Sequence, residues 1–259
     1  MRPNLFIILK IVLLVNLNAF GQKKLDNFRK NSSFLWVADS LEKNLTLYFE
    51  KNSYAEKNLE ILKLRVKQHL KNTKNFIGIE TYDKSIHYFI LENRNRMKVL
   101  VGYETNGNAS PRNNLITAIF SDKINSVYSN HELFHLIAMN LWGYPETWIN
   151  EGMAVYSDDS WHGYNLHELS KYLIDNDEFI SINKLTRNFR QYDDMVTYPL
   201  LGSFAKFIEE RYGRETIKLF WTKGRRKTIR LIGKSLNDFE KEWLLMLNSV
   251  TYEDIEYLK

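Results

Sequence analysis

His131-Glu132-Leu133-Phe134-His135 constrains this chain more than any other five residues. On an α-helix each residue advances about 100°, so residues four apart lie within about 40° of one another. Both imidazoles then leave one face, one turn apart. Leu133, Phe134, Leu136, Ile137 and Leu141 make the same stretch apolar, which places that helix in a core. Two imidazoles without partners are costly to desolvate there, and a shared metal ion removes the cost. Chance produces this spacing in about one chain in a hundred of this length, so the surrounding residues decide its meaning.

Zinc suits the pair, because it takes nitrogen and oxygen ligands in tetrahedral geometry. Glu132 follows His131 directly and can reach a water in the metal's open position, where it serves as general base. A catalytic site needs a third protein ligand, and His162, His167, Glu146 and Glu151 are the candidates. An extended motif with a third histidine is excluded, since Ala138 and Leu141 stand where its glycine and histidine belong. Glu151 is the best placed. It lies on the next expected helix, beyond a short Gly143-Tyr144-Pro145 connection that can set two antiparallel helices side by side.

Trp148-Ile149-Asn150-Glu151-Gly152-Met153-Ala154-Val155-Tyr156 resembles the second metal-binding segment of the gluzincin metallopeptidases, which include thermolysin-like enzymes and the large zinc aminopeptidases. The Asn-Glu-Gly-x-Ala core resembles the aminopeptidase branch. The likeness covers about residues 110 to 213 and extends to small exported gluzincin-like proteins. It implies a zincin-like fold, one zinc, and Glu151 as third ligand beside His131 and His135. Fifteen residues separate His135 from Glu151, fewer than in the large aminopeptidases. Tyr198-Pro199-Leu200-Leu201-Gly202-Ser203 is similar to a downstream segment whose tyrosine donates to the oxyanion, which assigns that role to Tyr198; a buried tyrosine capping a helix start is the other reading. The Gly-x-Met-Glu-Asn segment that anchors a free amino terminus is absent. The strand before the motif helix, Asn113 to Phe120, stands in its place; by resemblance it pairs with an extended substrate, and a plain structural strand is the other reading.

The rest of the chain supports an α+β fold, with a small N-terminal mixed β-sheet region and a helical C-terminal half. Leu45–Phe49, Ile86–Leu91 and Leu115–Phe120 read as strands, and 54–71 as a helix; 97–101 is ambiguous and 103–114 reads as a turn-rich loop. Helices are expected over 129–142, from Pro145 to about Ser157, over 163–174, from Pro199 to Gly213, over 214–222 and over 236–248. The basic stretch from Lys223 to Arg230 reads as a solvated loop, with a patch for anionic surfaces as the lesser reading. This divides the chain into 1–21 as signal peptide, 22–128 as a mixed sheet and helix region, and 129–259 as a helical zinc-binding region, with 22–259 one catalytic unit.

Arg2, the apolar residues Leu5–Leu9 and Ile11–Val15, and Ala19-Phe20-Gly21 before Gln22 have the layout of a cleaved export signal. Lys10, Asn16 and Asn18 interrupt the apolar run, so no stable membrane insertion is expected after cleavage, and the mature protein is expected to be secreted or periplasmic. The chain has no cysteine, which excludes disulfides, thiolate metal sites and thiol nucleophiles. Its formal charge of +5 falls by two when Arg2 and Lys10 leave, too little to imply nucleic acid. The expected activity is therefore zinc-dependent hydrolysis of a peptide or protein substrate. A non-catalytic zinc-binding module and a hydrolase of a non-peptide amide are the alternatives.

Overall fold

The structure is a computed structural model that describes residues 23–124, 129–253 and 255–256. The expected signal peptide lies outside the described residues. The chain forms two compact units, one up to Asn140 and one from Leu141 onward.

The first unit opens with α1, residues 23–29. A five-stranded mixed sheet follows, built from β1 (Trp36–Glu42), β2 (Leu45–Glu50), β3 (Ile86–Leu91), β4 (Gly107–Ser110) and β5 (Leu115–Ile119), in the order β1-β2-β3-β5-β4. β2, β3 and β5 run parallel, and each edge strand is antiparallel to its neighbour. Parallel neighbours need a crossover. The β2–β3 crossover carries α2 (Tyr54–Lys57) and α3 (Leu59–Ile77); the β3–β5 crossover carries α4 (Arg94–Val101) and the edge strand β4.

The expected helix over 54–71 is thus two helices broken at Asn58, whose backbone N–H and side-chain amide both donate to the Tyr54 carbonyl and close the first helix there. The ambiguous stretch 97–101 is the second half of α4. Within the expected loop 103–114 lie β4 and a 3-10 turn over Pro111–Asn113. Phe28, Phe34, Tyr48, Phe89 and Met97 form one buried cluster on the sheet, and Phe28 meets the Phe89 ring edge-on. α5 (His131–Trp142) ends this unit, its last two residues falling in the second.

The second unit is helical. It holds α6 (Thr147–Asp158), a short hairpin of β6 (Ser160–Trp161) and β7 (Tyr164–Asn165), α7 (Leu166–Asp175), α8 (Ile182–Asn188), α9 (Asp194–Tyr212), α10 (Arg214–Lys223), α11 (Arg225–Ile232) and α12 (Leu236–Leu247). Three expectations change. α9 begins five residues before Pro199, capped by the Asp193 carboxylate on the Met195 N–H, so the proline sits inside the helix. The basic stretch is largely α11, set off by Gly224 and Gly233 and packed through Thr228. α6 also starts two residues later than Pro145: Glu146 is its extended N-cap residue.

α6 and α9 pack through a pair of glycines. A Cβ on Gly152 would stand 2.8 Å from the Leu201 carbonyl oxygen, and one on Gly202 would stand 2.6 Å from Val155 Cγ1. The backbone carbonyl has no rotamer by which to yield, and the buried, β-branched Val155 is stiff about χ1, with its Cβ also at 3.1 Å. Gly152→Ala and Gly202→Ala are therefore each expected to cost about 1–3 kcal/mol of stability despite alanine's better helix propensity. Urea unfolding of both variants checks this; no loss of stability in either would show that its contact is not limiting.

Candidate metal centre

α5 is anchored at its first turn. The Ser129 hydroxyl accepts the His131 backbone N–H at 3.0 Å, and the Asn130 carbonyl accepts that of Phe134 at 2.7 Å. The buried Asn130 side chain is in turn hydrogen-bonded to His69 Nδ1 of α3 at 2.9 Å. Leu133, Phe134, Leu136, Ile137 and Ala138 are buried, so the helix cannot turn about its axis. The imidazoles of His131 and His135 lie one turn apart as the spacing requires, with ring centroids 4.5 Å apart and planes nearly perpendicular. His135 is buried and His131 half-buried.

Gly143, at φ +85°, ends α5 in the left-handed conformation that costs glycine least. Its carbonyl accepts the Trp221 indole N–H at 2.8 Å. On α6, Trp148, Ile149, Asn150, Gly152 and Met153 are buried around the half-buried Glu151. The Asn150 amide donates to Glu151 Oε1 at 3.1 Å. Burial, then the charges of Asp193 and Glu151, push the Asp194 carboxyl above its ordinary range. Asp194 at the head of α9 is thus a second acid within reach of Glu151's field. The sequence reading missed it, and no motif points to it.

His131, His135 and Glu151 each offer one ligand atom, and these atoms lie within 4.8 Å of one another. Two ligands of a tetrahedral zinc, each at about 2.1 Å, stand about 3.4 Å apart. These three residues could hold one metal ion. Two neutral nitrogens and a carboxylate, with no sulfur, are a donor set that fits zinc.

The other candidate ligands are engaged elsewhere. Glu146 accepts the Trp148 indole N–H at 2.9 Å and the Arg225 backbone N–H at 3.0 Å. His167 bonds Ser203 at 2.8 Å and Glu210 at 3.2 Å, and its burial pushes the imidazole pKa down. His162 occupies the left-handed turn of the β6–β7 hairpin, at φ +51°.

Glu132 follows His131 on α5 and lies against β4, close to Gly107. Tyr198 is half-buried in the second turn of α9, so it does not cap the helix start. Its ring stacks on Trp161 at 4.9 Å and meets Phe189 edge-on at 5.3 Å. The strand expected to pair with substrate, β5, has no open edge: β3 bonds it on one side and β4 on the other. β4 is the edge strand on that side of the sheet.

No protein-family model and no curated protein matches this chain. Among solved structures it is similar to native yeast LTA4 hydrolase, at 16% identity and a TM-score of 0.44, over 84% of this chain and 38% of that one. The chain thus spans well under half of that protein's length, and no property of that protein carries over on this likeness.

Proposed function

We propose that the chain is a zinc-dependent hydrolase that cleaves peptide bonds. The observation that carries this is the convergence of two imidazoles and one carboxylate, with a further carboxylate one residue along the same helix. The group is not a purely structural centre in this reading, because such a centre has no use for Glu132. His131, His135 and Glu151 hold the ion. Bound zinc supplies Lewis acidity toward a carbonyl and lowers the pKa of water. Glu132 accepts the proton of the attacking water and passes it to the leaving amine. Residues 1–21 direct export in this reading. No helix among the described residues is long and apolar enough to cross a membrane.

Metal analysis of the purified protein, run beside digestion of a peptide library, tests the proposal. One zinc per chain and peptide cleavage are expected. Bound zinc without cleavage of any peptide would favour a non-peptide amide or a non-catalytic module.

Tyr198 is the proposed donor to the oxyanion, a bond stronger in the transition state than in the ground state. Phenylalanine keeps the ring contacts with Trp161 and Phe189 and removes only the hydroxyl. Tyr198→Phe is expected to lower kcat on the order of 10²-fold with zinc content and unfolding midpoint unchanged. An unchanged kcat with about 1 kcal/mol of lost stability would make the hydroxyl a structural group.

A further inference from the structure

Gly107 begins β4, and its backbone does not adopt the left-handed region that favours glycine. Conformation alone therefore admits any residue there. The obstacle is Glu132. A Cβ on Gly107 would stand 2.5 Å from Glu132 Oε1, 2.9 Å from its Cγ and 3.1 Å from its Cδ. These distances lie well inside the 3.5–4.0 Å at which carbon atoms pack best.

Three features decide which partner would give way. β4 is held in place: Gly107 pairs with the buried Ala118, the Thr105 hydroxyl donates to the Gly107 carbonyl at 2.8 Å, and the Ile119 N–H donates to the Asn106 carbonyl at 3.0 Å. The backbone of α5 is held by its buried face. The atoms in contact belong to the Glu132 side chain, which has three single bonds about which to shift where a backbone has none.

We infer that Gly107 is a positioning residue for Glu132: the absence of a side chain on the edge strand sets where the carboxylate rests. This rests on the proposed role of Glu132 as general base. A methyl group at 107 pushes the carboxylate off that place while strand and helix stay where they are. The base then meets the attacking water from a poorer position, and a displacement of about 1 Å is enough to cost one to two orders of magnitude in rate.

The test is Gly107→Ala in the full chain, made both with Glu132 and in the Glu132→Gln background. With Glu132 present, kcat is expected to fall on the order of 10–100-fold, with KM, zinc content and unfolding midpoint close to wild type. In the Glu132→Gln background the same change is expected to cost no further rate, because the group it displaces no longer takes a proton. Equal losses in both backgrounds, or no loss with Glu132 present, would overturn the inference. A crystal structure of Gly107→Ala reads the contact without turnover. The expected result is a Glu132 carboxylate moved by about 1 Å with β4 in register; a displaced strand beside an unmoved Glu132 would overturn it. A wild-type protein without zinc or cleavage sinks the hydrolase reading instead, and the crystal structure still decides the contact.

Discussion

Glu132→Gln is expected to keep its zinc and to lose about 10²–10⁴-fold in turnover. Glutamine has the size and shape of glutamate, so it fits against Gly107 as the native side chain does. It is not a ligand in the proposed set, so the ion stays. What it lacks is basicity: an amide oxygen does not take a proton from water near neutral pH. The loss should therefore fall on kcat, with KM and the unfolding midpoint little changed. Steady-state kinetics beside metal analysis of one preparation separates this from misfolding. Near-wild-type hydrolysis would remove Glu132 from the mechanism altogether.

Glu151→Ala is expected to abolish stoichiometric zinc binding, and turnover with it. Two imidazoles one turn apart remain, which is one protein ligand short of a catalytic zinc site. Glu151 is half-buried, it accepts a bond from Asn150, and its removal relieves repulsion on Asp194. The apo variant should therefore unfold near the apo wild type. Ligand linkage provides the sharper readout. Zinc at about a thousandfold over its Kd stabilises the wild type by about 4 kcal/mol, whereas the variant's midpoint should hardly move on zinc addition. Full occupancy in Glu151→Ala would exclude Glu151 as a ligand and return attention to His162 and His167.

The parts legible in the sequence were those whose cause is local. Ile86–Leu91 is a run of β-branched, aromatic and aliphatic residues, and it is β3 without a change of boundary. The histidine spacing needs only a helix to place both rings on one face, and the apolar residues around it supply that helix. What stayed hidden depends on contacts across the chain. β4 reads Gly-Asn-Ala-Ser, a turn by composition, and becomes a strand because β5 offers it partners. β1 carries Asp39, Ser40 and Glu42, residues that give a weak strand signal, and it forms by pairing with β2. Pro199 suggested a helix start, yet α9 carries the proline inside and forgoes the one bond that its missing N–H would donate. Glu151 stood out from the other candidate ligands through the short Gly143-Tyr144-Pro145 connection and through a family resemblance. Gly107 left no trace, because its part is played by a side chain that is not there, 25 positions from the residue it meets.

The two rims of the sheet have a bearing on how the protein behaves in concentrated solution. An unpaired strand is a template for a strand from a second copy, and long flat rims invite fibres. Here neither rim is long and flat. β4 has four residues, and Pro111, which lacks an N–H, follows at once, so a hydrogen-bond ladder growing along that rim has nowhere to continue. On the opposite rim the register of β1 shifts between Ser40 and Glu42, which kinks the strand, and Asp39 there is tied to Lys63 at 2.9 Å. A neighbouring molecule therefore finds only short stretches along which to add, and sheet-to-sheet growth between copies is disfavoured.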